Sequence, residues 1–406
     1  MHEKTNRFIG SVLLVAGTTV GAGMLALPAT TVFAGFVPSL LLFVFCWLVM
    51  LATAYLILDV TLSFKGETNL ISMAYKTLGN PGRIVTWVAY LLLLYALTSA
   101  YIAASAPLFQ RSVLHVFHYE IPLGPTYLLL PLLFGISVYV GTASVDMVNR
   151  VLTAALCIAY LLLVSLLPQH IRPARLARAD PSGIWIALPV VITSFGYHIV
   201  IPGLTTYLHR DRKRLRKALF IGSVIPLLFY VAWQLVVIGV VPVEDLAGVW
   251  KAGLSVTGPL ARVANSPELT LGAHFFSFFA IVTSFLGVAL SLSDFLADGL
   301  KLKKGTSHRI AILLLTFVPP LIFVFTYTKG FLVALEYAAV FVAILLIFLP
   351  AAMAWSLRGV PFYGTGGGRV YLLSIMLIAL TVIATVFSLK AGLSNTITEA
   401  HVPFPS

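Results

Sequence analysis

The chain has 406 residues, of which 60% are hydrophobic and 10% charged, and its mean hydropathy is +1.00. A soluble domain carries about 25% charged residues, so this composition excludes a water-soluble enzyme or binding module and fits one polytopic membrane bundle. The net charge of +12 sits in short loops between apolar runs, which reads as membrane topology and not as a nucleic-acid surface.

Lys4 and Arg7 precede the first apolar run much as in a secretory signal peptide. Apolar segments continue to Leu389, however, so an uncleaved first span is expected. Runs of about 18 or more apolar residues predict eleven spans, at roughly 8–35, 37–63, 82–107, 125–142, 149–168, 184–207, 217–241, 271–299, 309–327, 330–355 and 369–389. The expectation is an all-α integral membrane protein with a single domain over 1–406. Cys46 and Cys157 both fall inside these runs, which argues against a disulfide framework or a metal site.

The first span contains Gly17-Thr18-Thr19-Val20-Gly21-Ala22-Gly23-Met24-Leu25-Ala26-Leu27-Pro28. In a helix interior glycine costs roughly 1 kcal/mol against alanine and proline about 3. The helix is therefore expected to break here. A break tolerated at membrane depth must face protein or a water-filled cavity. The freed amides of Thr19 to Gly23 would cradle a carboxylate, with Thr18, Ala22 and Met24 in the same wall and the helix dipole near Leu25 adding attraction. Close packing through Gly17 and Gly21 is the competing explanation. It does not account for Gly21, Gly23 and Pro28 together.

After the second span, Leu70, Ile71, Ala74 and Leu78 have helical spacing, which predicts a short interfacial helix ended by Gly79-Asn80-Pro81-Gly82. In the third span Tyr101 lies among Ser99, Ala100, Ala103, Ala104 and Ser105, suited either to a cavity wall or to ordinary packing. The sixth span is interrupted in turn, at Thr193-Ser194-Phe195-Gly196-Tyr197-His198-Ile199-Val200-Ile201-Pro202-Gly203. Paired interruptions in two halves point to the central site of a secondary transporter. His198 and Tyr197 place polar groups there, and histidine has the titration range for proton coupling. The basic run at 210–217 reads as a topology anchor or an anionic-lipid contact.

The eighth span spaces Ser277, Ser284, Ser291 and Asp298 by seven, with Ala280, Gly287 and Asp294 on the same face. Such a stripe would line an aqueous path, with Ser291 and Asp294 as coupling or gating candidates, or would be a helix-packing face. Glu336 in the tenth span is either a proton carrier or an inward-facing partner. With the N-terminus inside, eighteen Lys and Arg fall on the inner side and eight on the outer, which predicts a cytoplasmic N-terminus and an external C-terminus. The outer loop with Arg172, Arg175 and Arg178 runs against that count. No catalytic or metal motif is present: there is no His-Glu-x-x-His, Gly-x-Ser-x-Gly, phosphate-binding loop or metal-spaced cysteine pair.

The stretches at 17–28 and 194–204, Val145-Asp146-Met147-Val148-Asn149-Arg150, Phe285-Leu286-Gly287-Val288 and Asp294-Phe295-Leu296-Ala297-Asp298-Gly299 together resemble the bacterial tyrosine/tryptophan permeases of the hydroxy and aromatic amino acid permease family. The resemblance covers nearly the whole chain. It implies a LeuT-type fold of two inverted five-helix repeats, over about 8–168 and 184–355, with helices 1 and 6 interrupted and an added helix at about 369–389. It also implies proton symport of an aromatic amino acid (tyrosine, with tryptophan second) across the bacterial inner membrane, without a cofactor. Gly21 to Met24 would then meet the α-carboxylate, and Phe195 to His198 the amine and ring. The partners implied are the amino acid, the proton and membrane lipids; the oligomeric state is not implied. The rival expectations are a serine/threonine symporter of the same family, or a receptor or channel without coupled transport.

Overall fold

A computed structural model describes residues 2–264, 266–300, 306–327, 330–357 and 361–392. Among them the chain is a succession of helices, and the sole extended pairing is Gly35 with Ala179. The helices are α1 (His2–Thr19), α2 (Leu27–Thr31), α3 (Phe36–Ser63), α4 (Leu70–Phe117), α5 (Leu123–Thr126), α6 (Leu129–Val140), α7 (Thr142–Leu166) and α8 (Pro173–Leu176). They continue with α9 (Ile184–Ser194), α10 (Ile201–Tyr207), α11 (Arg212–Val240), α12 (Val243–Ala252), α13 (Thr257–Ala264) and α14 (Pro267–Leu300). Last come α15 (Thr306–Thr326), α16 (Gly330–Val342), α17 (Leu349–Trp355), α18 (Pro361–Gly364) and α19 (Gly366–Lys390), with a wide π turn over Ala343–Phe348 joining α16 to α17. Lys301, Lys303, Lys304, Lys329 and Arg358, all used in the charge count, lie outside the described residues.

Ten helical segments among the described residues are long and apolar enough to cross a membrane, against eleven expected. The difference falls on the first segment. It stops at Thr19 and resumes as the five-residue α2; α1 has 18 residues but carries Glu3, Lys4 and Arg7, so neither piece alone is both long and apolar enough. The short helix expected at 70–78 is present. Asn69 Oδ1 accepts from Ser72 N–H at 2.8 Å and Ser72 Oγ accepts from Asn69 N–H at 3.0 Å, a reciprocal cap that starts α4 at Leu70. Gly79, at φ +72°, ends that first turn-rich piece before α4 resumes, and α4 runs on to Phe117, ten residues past the expected end.

The helices pack in two groups. One holds α1, α3, α9 and α11 around the two short pieces α2 and α10; the other holds α4, α6, α14 and α15. The groups meet where α14 touches the turn after α1 and where α16 lies between α4 and α9.

Many of the loop arginines act as helix caps. Arg178 Nη1 donates to Val32 O at 3.0 Å, beyond the end of α2, and Arg175 donates to Val240 O at the end of α11. Cations favour the carbonyl ends of helices, which gives the basic 172–178 loop a structural reason independent of charge topology. In the 210–217 run, Arg210 donates to Leu62 O (2.9 Å) and Phe64 O (2.7 Å), closing α3. Arg212 pairs with the buried Asp59 at 2.7 Å, and Tyr363 donates to the other Asp59 oxygen at 2.7 Å. Burial, with Asp59 beside it, pushes the Tyr363 phenol up. Lys213, Arg216 and Lys217 stay exposed.

At the face opposite the chain start, the loop before α9 lies directly on the end of α2. Asp180 N–H donates to Ala34 O at 2.8 Å, and a Cβ on Gly183 would fall 2.4 Å from Phe33 and Ala34 backbone atoms. Phe33 also meets Trp250 of α12 edge-on at 5.1 Å. The seam is backbone against backbone, so neither side has room to yield. Gly183→Ala should therefore lower stability by about 2 kcal/mol or more, an overpacking cost, read as a fall in melting temperature of the purified protein.

Candidate functional site

The first break begins where α1 ends at Thr19. Gly21 takes an extended conformation, and a tight turn over Ala22–Leu25 leads into α2. Val20 N–H still closes on Ala16 O at 2.9 Å, and Met24 N–H on Gly21 O at 3.2 Å. Ala22 N–H is taken by Ser284 Oγ of α14 at 2.9 Å. Among the described residues this leaves the amides of Gly21 and Gly23 without a hydrogen-bond partner. Two unpaired N–H groups one residue apart at the start of a helical turn form an anion-binding arrangement. A Cβ on Gly21 would lie 2.5 Å from Ser284 Oγ, and one on Gly23 3.0 Å from Ser194 Oγ, so a side chain at either would press on a serine hydroxyl.

Other predicted members of this wall play a different part. Thr18 Oγ1 bonds to Leu14 O (2.7 Å) and Thr19 Oγ1 to Val15 O (2.8 Å), so both hydroxyls are spent on their own helix. Ala22 and Met24 are fully buried, their side chains in the core.

The second break follows Ser194. Phe195, Gly196 and Tyr197 are non-helical, a tight turn covers His198–Val200, and α10 continues. Ser194 Oγ returns to Val190 O at 2.8 Å. Phe195 and Tyr197 have no exposed side-chain surface and His198 almost none, while Gly196 is partly open. His198 Nε2 lies 2.8 Å from Thr53 Oγ1 of α3, which fixes the ring.

A third element joins the two breaks. Tyr230, buried in the continuous α11, sets its hydroxyl 2.7 Å from Thr19 O and 2.8 Å from Ser194 O, the last carbonyls of α1 and α9. Its ring packs edge-on against Phe195 at 5.2 Å and Phe43 at 6.5 Å. Tyr101 is buried on α4 with its hydroxyl directed to Ser284, so it reaches the same junction from the other helix group. Both breaks, Ser284, Tyr101 and Tyr230 thus form one constellation.

The α14 stripe divides at Ser284. On one side Ser277 and Ala280 are packed; on the other Gly287, Asp294 and Asp298 are exposed and Ser291 is partly so. A Cβ added to Gly17 or to Gly287 would meet nothing within 4 Å. Gly17 and Gly287 therefore both border open space on the chain-start side of the Gly21–Ser284 contact. A cleft of about 420 Å³ lies at that face beside Glu67, Thr68, Pro202, Gly203, Thr206 and Tyr207. Glu336 is not free: it forms an ion pair with Lys390 near the end of α19. Among the described residues no cluster of His, Cys, Asp and Glu could hold a metal ion.

Sequence reasoning missed three contributors. Ser284 was seen only as one step of a stripe. Thr53 and Tyr230 lie in unbroken apolar helices, where nothing in the local pattern distinguishes them from core. A hydroxyl at membrane depth opposite a predicted break was the one available signal.

Two interrupted helices held face to face inside an apolar bundle, with free amides at one and a fixed histidine at the other, define a multi-pass membrane transporter. The chain matches the tryptophan/tyrosine permease family over residues 4–386, and it belongs to that family. It is 33% identical over 397 residues to the "Tyrosine-specific transport system 1" of Haemophilus influenzae, covering 95% of this chain and 98% of that one. It is 31% identical over 373 residues to the "Tryptophan-specific transport protein" of the same organism, covering 88% and 89%. The "Low affinity tryptophan permease" of Escherichia coli K12 is 26% identical over 403 residues, covering 94% and 95%.

Gly21→Ala would push Ser284 away from Ala22 N–H. It should reduce transport in proteoliposomes at least about tenfold, the scale of one lost hydrogen bond. Ser284→Ala alone should cost a comparable amount, because it removes the same acceptor from Ala22 N–H; wild-type transport in that variant would show that this bond is not what matters.

Proposed function

We propose that the chain imports an aromatic amino acid, tyrosine first and tryptophan second, by proton symport with alternating access across the bacterial inner membrane. The observation that carries the reading is the pair of free amides at Gly21 and Gly23, facing the Ser194–His198 break across a junction sealed from one face. That arrangement suits a zwitterion, the carboxylate at the amides and the ammonium and ring toward the second break. The tyrosine- and tryptophan-specific names of the relatives support an aromatic side chain.

In this reading the fold is LeuT-type. The repeats run over about 8–168 and 184–355, α1–α2 and α9–α10 are their broken first helices, and α19 is the eleventh span. The two packed groups of helices support it. The N-terminus is cytoplasmic and the C-terminus external. The chain-start side, where Gly17 and Gly287 border open space, is then the cytoplasmic one, and the state is inward-facing. Of the substrate-binding set read from the sequence, Gly21, Gly23 and Gly196 meet the substrate directly, Tyr101, Ser194, Phe195, Tyr197 and His198 frame it, and Thr18, Thr19, Ala22 and Met24 hold the first break in shape. Of the coupling candidates, His198 sits inside the break, Ser291 and Asp294 border the open path, and Glu336 is held by Lys390.

Uptake of labelled tyrosine, tryptophan and serine into proteoliposomes under imposed proton or sodium gradients tests the reading. Accumulation of tyrosine driven by a proton gradient is expected. Serine uptake without tyrosine uptake would transfer the chain to the hydroxy amino acid branch, and a sodium requirement would remove proton coupling. In the same assay His198→Ala tests the coupling role proposed for the histidine, and the pH profile of uptake should change. An unchanged profile would leave coupling to another residue.

A further inference from the structure

The Tyr230 hydroxyl serves two acceptors with one hydrogen. Thr19 O and Ser194 O lie 2.7 and 2.8 Å from it, and a phenol donates to one at a time. The neighbouring hydroxyls do not help: Thr19 Oγ1 is bound to Val15 O and Ser194 Oγ to Val190 O. The chain's own next turns do not reach back either. Met24 N–H goes to Gly21 O, and Gly196 N–H to Thr193 O. Each carbonyl closes a half-helix and carries the negative end of its dipole. The junction is thus electronegative and one donor short, inside a core where an unserved carbonyl is costly.

We infer that Tyr230 is a positioning residue. It fixes the separation of the two terminal carbonyls and leaves one acceptor open to the ammonium group of a bound amino acid. This rests on the proposed substrate reading and adds a residue from outside both breaks. The ring, wedged against Phe195 and Phe43, sets where the hydroxyl stands; the hydroxyl sets how far apart α1 and α9 end. An ammonium group, with three hydrogens, completes what the phenol cannot. Ligand binding and closure of the junction therefore draw on the same pair of carbonyls.

The test compares Tyr230→Phe with Tyr230→Gln in the full-length protein, and measures binding of tyrosine and of its deaminated aryl-propionate analogue together with thermal stability. Phe keeps the ring and loses the donor; Gln loses the ring and keeps two N–H donors. Tyrosine should bind Tyr230→Phe at least about tenfold more weakly than wild type, with the analogue altered less than about twofold. Tyr230→Gln should bind tyrosine more tightly than Tyr230→Phe. Wild-type affinity in Tyr230→Phe with only a lowered melting temperature would reduce Tyr230 to core packing and overturn the inference. So would equal losses for tyrosine and analogue, or a Gln variant weaker than Phe. Failure of wild type itself to bind any aromatic amino acid is a distinct result, which removes the substrate reading and this inference with it.

Discussion

A helix that stops halfway through an apolar bundle leaves N–H and C=O groups that no water reaches, and each one unserved costs several kcal/mol. This chain does so twice, at Thr19–Ala22 and at Ser194–His198. Everything else central to the structure answers that debt or leaves part of it open for a ligand. Ser284 serves Ala22 N–H, Tyr230 serves one of the two terminal carbonyls at a time, and Thr53 holds His198 in place. The Gly21 and Gly23 amides and the other carbonyl are what remains.

The supporting residues come from helices that are themselves continuous. α3, α11 and α14 run straight past the breaks and lend single hydroxyls to them. The division of labour follows from chemistry: a broken segment cannot be rigid by its own hydrogen bonds, so rigidity must come from neighbours whose ladders are intact. It also separates shape from recognition. Replacing a neighbour's hydroxyl alters the support, whereas replacing Gly21 or Gly23 fills the site.

The two ends of the bundle differ in kind. At one, the backbone of Phe33–Gly35 meets the 178–183 loop without space for a single methyl group, and arginines close the helix ends. At the other, Gly17 and Gly287 border open space, Asp294 and Asp298 are exposed, and contacts run through long side chains such as Arg210 and Arg212. The first end is a backbone seam, and the second is held by side-chain ties.

The breaks, the short helix at 70–78 and the small-residue face of α14 were legible in the residues, because each depends on local rules: glycine and proline cost helix, apolar residues at helical spacing form one, and a seven-residue spacing marks a face. Membership of the permease family was legible in a set of motifs, the two breaks together with the stretches at 145–150, 285–288 and 294–299. Local rules gave no role to the arginines of the 172–178 loop, whose partners at Val32 and Val240 lie on other helices. Nor did they predict the Glu336–Lys390 pair, or which hydroxyl would reach Thr19 O and Ser194 O. A break is a property of a few consecutive residues. Its satisfaction depends on which distant side chain the packing delivers to within 3 Å, and only the tertiary structure decides that.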